Sequence, residues 1–176
     1  MVLSQNGDSL KTGHMNSNES QLIRDLPNIY LDQMIKIEST NMIPILYEIG
    51  ISINKNDIAD QFTKNYDSVV IFTLKNNSIS SFVIYRHEVS CIFISSIQID
   101  FTIVSSLVLG KLLRKCFISL KKENHELVES LVQKSNTKSI ELHLKLGFRN
   151  IKENDKSIRF STFRLDLLDR VSSAFL

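Results

Sequence analysis

After a polar opening, the chain alternates between hydrophobic periods of three to four residues and of two. Residues 1–20, MVLSQNGDSLKTGHMNSNES, show no apolar period and are expected to form a disordered leader. Residues 21–176 then read as a single domain. Leu31, Met34, Ile35, Met42, Ile45, Leu46 and Ile49 recur at helical spacing and predict a helix over 31–49. Pro44 removes an amide donor and clashes with the preceding turn, so a break into two short helices is expected before it. Gly50 supplies a stop. A second helix is predicted over 55–65, capped by Asn54, with Ile58 and Phe62 facing inward.

The middle of the chain is strand-rich. Residues 68–74 and 80–85 flank Asn76-Asn77, a pair that tolerates positive φ, and read as a hairpin. Residues 90–99 form a third strand. The period then returns to helical, because Leu109, Leu112, Leu113, Cys116, Phe117 and Leu120 define an amphipathic helix to about Lys122. A strand over 126–132 and a helix over 136–146 follow, the latter ended by Gly147. Two closing strands are predicted at 148–153 and 159–167, where Phe163, Leu165 and Leu167 alternate with Arg164 and Asp166. This order implies an α+β layer fold.

Composition narrows the function classes. The 176 residues are 43% hydrophobic, enough for a core. Lys and Arg total 21 against 19 acidic residues, which argues against a dedicated nucleic-acid binder. No apolar stretch suggests a signal peptide or a membrane span, and a cytoplasmic setting is expected. Cys91 and Cys116 offer no disulfide framework or zinc pattern and are expected to be reduced core thiols. No His, Asp or Glu spacing resembles a ligand set, so no metal is expected. His87 and His125 read as loop or strand-edge residues. Only five glycines occur, and no GxxxxGK[ST] or GxGxxG phosphate motif is present.

Residues 136–148 read Asn-Thr-Lys-Ser-Ile-Glu-Leu-His-Leu-Lys-Leu-Gly-Phe. This segment resembles the late motif N-x-x-[AS]-x-x-L-Y-x-K-x-G-F of the GCN5-related N-acetyltransferase (GNAT) superfamily. Asn136, Ser139, Leu142, Lys145, Gly147 and Phe148 fall on it. The predicted element order also follows that family over about residues 22–168, and the resemblance implies a first strand near 23–30, weakly marked in this sequence. The resemblance implies a GNAT-like central mixed, mostly antiparallel twisted sheet of six to seven strands flanked by helices. It implies an acyl-CoA-dependent N-acyltransferase, with acetyl-CoA as co-substrate and an amine, small molecule or protein, as acceptor. The alternative it leaves open is a catalytically weakened GNAT-fold module that binds CoA or a protein. Oligomeric state stays open.

The same resemblance assigns roles to residues. Ile97 and Ile99 on the fourth strand would border the pantetheine arm. The pyrophosphate would sit on amides at the start of the following helix, where orphan N–H groups and the helix dipole favour an anion. That segment is Ser105, Ser106, Leu107, Val108, Leu109 and Gly110, followed by Lys111. It departs from the family pattern [RQ]-x-x-G-x-[GA], since only Gly110 matches and Val108 replaces the middle glycine. Asn136 and Ser139 complete the cofactor set. His143 stands where the family carries a Tyr, the acid near the sulfur, and a histidine cation is a competent donor. Glu129 is the expected base, two residues before Leu131 on the same strand face, with Glu88, Gln98 and Asp100 as alternatives. Glu38, Glu48, Asp57, Asp60 and Asp67 fall in the segments expected to build the acceptor pocket.

Overall fold

The computed structural model describes residues 20–100, 102 and 106–175. Residues 1–19 of the expected leader and Ser105 lie outside them. A seven-stranded sheet runs in the order β1-β2-β3-β4-β5-β7-β6. Its strands are β1 (Gln21–Leu22), β2 (Val69–Lys75), β3 (Ser78–His87), β4 (Cys91–Ile99), β5 (Leu127–Gln133), β6 (Arg149–Glu153) and β7 (Ser157–Phe163). All neighbours pair antiparallel except β4 and β5, which run parallel. The helices are α1 (Asn28–Glu48), α2 (Lys55–Lys64), α3 (Ser106–Leu120), α4 (Thr137–Lys145) and α5 (Arg164–Phe175). This is the expected α+β architecture, and the sheet separates two hydrophobic cores. On one side Met34, Ile58 and Phe62 of α1 and α2 pack with Phe72 and Phe82. On the other, Leu112 and Leu113 of α3 and Leu167 and Val171 of α5 pack with Ile92, Val128 and Phe160. No helix among the described residues is long and apolar enough to cross a membrane.

Local chemistry explains most boundaries. Asn54 caps α2 in a reciprocal box with Asp57. Asn76 and Asn77 both take positive φ, 52° and 60°, as a tight hairpin turn demands. Gly147 ends α4 at φ +85°.

Three elements differ from expectation. Helix α1 continues through Pro44. Both Pro44 and Thr40, whose carbonyl the proline leaves unpaired, are exposed, so that carbonyl is not stranded in the core and no break is forced. The last strand stops at Phe163 and gives way to α5. Leu167, Leu168 and Val171 are buried, a helical spacing, while Phe163 and Leu165 of the apparent alternation are exposed. The first strand is only Gln21–Leu22, and the chain turns at once through a 3-10 turn (Ile23–Asp25) into α1.

Candidate active site

The site begins where β4 leaves β5. Their pairing covers Cys91–Ile94 against Leu127–Ser130 and then stops, although β4 runs on to Ile99 and β5 to Gln133. A bulge sits at that point. Ile84 pairs with Ser96 and Tyr85 with Ile94, which leaves Ser95 as an extra residue in β4. Its hydroxyl donates to the Ile84 carbonyl at 3.2 Å. A bulge bends its strand and inverts the facing of the residues beyond it. Thus Ile97 joins Ile94 beside the α3 core, while the Ser96 and Gln98 side chains meet α1.

Two cavities open beside this divergence. One, of about 710 Å³, lies among Ile97 and Ile99 of β4, Leu109 of α3, and Asn136 and Ser139 of α4. The structure therefore gathers five of the residues expected to hold the cofactor. Asn136 caps α4, accepting from the Ser139 amide at 3.1 Å. The second cavity, of about 290 Å³, is lined by Glu38, Ser96, Gln98, Ser130 and His143. Met42, Ile97, Gln98, Asn136 and Ser139 border both.

The phosphate segment is more helical than expected. Residues 106–110 already belong to α3, so Gly110 sits within the helix rather than in a loop. Val108 is buried, whereas Leu107 and Lys111 are exposed, and none of the three lines the large cavity.

The carboxylates are arranged differently from the sequence reading. Glu129 is held by Arg159, with Nε and Nη2 at 2.8 and 2.6 Å, and lines neither cavity. Glu38 is the carboxyl at the divergence. The Ser96 hydroxyl donates to its Oε2 at 2.8 Å. Burial pushes its pKa from 4.5 up to about 7, against the lowering effect of hydrogen bonds from Ser96 and Gln98. Glu38 had been placed in the acceptor region by sequence, but nothing in its own helix marks it as a base. Its neighbour Asn41 donates from Nδ2 to Gln98 Oε1 at 2.9 Å and to the Ile99 carbonyl at 3.0 Å, fastening α1 to β4. Ser135 donates to the Ile45 carbonyl at 3.1 Å, fastening α1 to the turn after β5.

His143 is buried, stacked on Phe160 and edge-on to Phe148. Its Nδ1 lies 2.7 Å from the Ser139 carbonyl, an acceptor only, so Nδ1 carries the proton in the neutral ring. Burial lowers its pKa, with the Ser139 bond opposing. The expected imidazolium acid is therefore disfavoured here. The ring is neutral and its Nε2 is a buried lone pair with no hydrogen-bond partner. Both thiols are buried and held as thiols, Cys116 pushed up to about 12 and Cys91 raised, each mainly by desolvation.

No protein-family model matches the chain, and no curated protein matches it in sequence. Solved structures do match its fold. An N-acetyltransferase from Staphylococcus aureus Mu50 superposes with TM-score 0.60 at 14% identity, covering 83% of this chain and 98% of the other. The PaiA N-acetyltransferase from Thermoplasma acidophilum, solved with coenzyme A, gives TM-score 0.61 at 13% identity, covering 82% and 98%. The ribosomal-protein-S18-alanine N-acetyltransferase from Escherichia coli gives 0.60 at 15% identity, covering 82% and 92%. The chain has the fold of these acetyltransferases, at a low level of sequence identity.

Proposed function

We propose that this GNAT-fold chain is an acyl-CoA-dependent N-acyltransferase, with acetyl-CoA as donor and a primary amine as acceptor. The observation that carries the reading is the divergence of β4 from β5 past Ile94 and Ser130. It opens beside the Asn136-capped helix and adjoins a cavity that holds a carboxyl with a pKa of about 7. The large cavity would take the pantetheine arm along Ile97 and Ile99. The smaller one would take the amine, and its mixed lining suits an alkyl ammonium. The PaiA structure with coenzyme A supports a CoA-type ligand, and the names of the neighbours support an amine acceptor.

Glu38 acts as the base in this reading. Its carboxylate takes a proton from the bound ammonium, freeing the nitrogen lone pair to bond the thioester carbonyl carbon. The carbon–sulfur bond then breaks, the second proton shed by the nitrogen passes to the departing thiolate, and the amide and free CoA leave. A base with a pKa near the working pH suits this transfer, because a large fraction is ionised and still basic enough to act. His143, through Nδ1–H, fixes the first turns of α4 beside the arm. The two reduced thiols fit a cytoplasmic setting.

A second reading, a CoA-binding module without turnover, is favoured by one observation. Asn41 already occupies the Ile99 carbonyl on the wall of the large cavity. Release of free thiol from acetyl-CoA across a panel of polyamines, aminoglycosides and N-terminal peptides tests the proposal. Amine-dependent release lost in Glu38→Gln supports transfer. Acetyl-CoA binding with no release for any amine supports the second reading.

A further inference from the structure

Away from the cavities, the chain brings three ligating side chains together that its sequence keeps apart. His87 ends β3, Glu123 follows α3, and His125 precedes β5. One ligand atom from each lies within 4.8 Å of the other two. In register, His87 pairs with Ile92, five residues before Ile97, or about 17 Å along the strand. The cluster is thus separate from the proposed acyl-transfer site.

The surroundings prepare these groups as ligands. His125 Nε2 lies 3.1 Å from the Glu88 carbonyl. A carbonyl only accepts, so Nε2 carries the proton and Nδ1 carries the lone pair. That Nδ1 is buried with no hydrogen-bond partner. An orphaned buried lone pair is costly, and a cation is one group that would satisfy it. A backbone carbonyl fixing the tautomer of a ligating histidine is the usual outer arrangement at metal sites. Glu123 is oriented in the same way. The Tyr85 hydroxyl donates to its Oε1 at 3.0 Å, leaving Oε2 on His87 Nε2 at 2.8 Å. Arg164 donates to the His125 carbonyl at 2.8 Å and holds the loop. The His87 side chain is 44% exposed, which leaves an approach for an ion and its remaining water.

We propose that His87, Glu123 and His125 form a binding site for one divalent transition-metal ion, zinc by preference. Two imidazoles and a carboxylate make a donor set of borderline softness that suits zinc over magnesium or calcium. The ion takes the place of the proton between His87 and Glu123, and water completes its shell. No acyl-transfer step depends on it.

The test is titration of the full chain with Zn²⁺ against a chromophoric chelator, with Co²⁺ absorption as a second probe. One ion per chain is expected, without thiolate charge-transfer absorption. Affinity should fall at least tenfold in Glu123→Gln and in His87→Asn, two part-exposed substitutions checked for folding by circular dichroism. Tyr85→Phe, which keeps the ring edge-on to His87 and removes the hydroxyl that Glu123 and Ser119 share, should weaken binding by about 10-fold. His14→Ala should leave it unchanged. Absence of Zn²⁺ binding would overturn the proposal. So would parent-like affinity in the Glu123 and His87 variants, or binding that disappears only when Cys91 and Cys116 are replaced.

Discussion

The Ser96 hydroxyl donates to Oε2 of Glu38 at 2.8 Å, joining a carboxyl on α1 to β4 just past the point where β4 parts from β5. The bond exists because the Ser95 bulge inverts the strand and brings Ser96 to the α1 side. It places the most perturbed carboxyl of the described residues in the smaller cavity, beside Gln98, which borders both.

Glu38→Gln should lower amine-dependent turnover by about 10²–10⁴-fold, the usual contribution of a positioned base. In the parent protein kcat/KM should rise with pH through about 7 as Glu38 ionises. That limb should vanish in the variant. A pH profile of free-thiol release checks both.

The same shift has a stability consequence of the opposite sense. A carboxyl raised from 4.5 to about 7 binds its proton more tightly in the folded chain. Folding is therefore favoured below pH 4.5 and loses stability as pH rises from there to about 7. Glu38→Gln removes the ionisation, so it should match the parent in acid and exceed it by up to about 3 kcal/mol in mild alkali. Urea denaturation at both ends of that window measures the difference.

His143 should remain neutral at pH 7, protonated on Nδ1 and bare on Nε2. Its lowered pKa also means that stability falls as pH drops below the ordinary value of 6.5, where the unfolded chain takes up a proton first. Nitrogen-15 NMR of the imidazole distinguishes the tautomers. A protonated Nε2 at pH 7 would refute the assignment.

Gly147 is needed for its backbone and for its neighbour. Its φ is +85°, and a Cβ there would run into the Arg170 side chain from α5. Gly147→Ala should cost at least about 1–2 kcal/mol from the backbone alone, a drop of several degrees in Tm. Asn136→Ala should cost about 1 kcal/mol by loss of the α4 cap. Thermal melts of the two variants check the order.

Elements governed by local chemistry were legible in the sequence. The Asn54 box, the Asn76-Asn77 turn and the Asn136–Gly147 helix each carry their own signal within a few residues. What was not legible depends on partners far along the chain. Pro44 and the Thr40 carbonyl it leaves unpaired lie on the exposed face of α1, a placement set by the tertiary fold. Helix α5 hides because Phe163, Leu165 and Leu167 alternate by chance, and only the burial of Leu168 and Val171 reveals the helical stripe. The Ser95 bulge leaves no mark on a two-residue period. Glu38 is 58 positions from Ser96, and Glu129 is drawn to Arg159 across the β5–β7 pair. Pairings of that range select which carboxyl is buried and which is neutralised.

Acyl-CoA is proposed to bind in the divergence of β4 and β5. Calorimetric titration with acetyl-CoA, run on the parent and on Ser139→Trp, tests it directly, since Ser139 borders both cavities and a large side chain would fill their junction. Binding at one site per chain is expected, accompanied by thermal stabilisation of about 2.7 kcal/mol at a ligand concentration of 100 Kd, with its loss in the folded variant. No binding by the parent, or undiminished binding by Ser139→Trp, would contradict it.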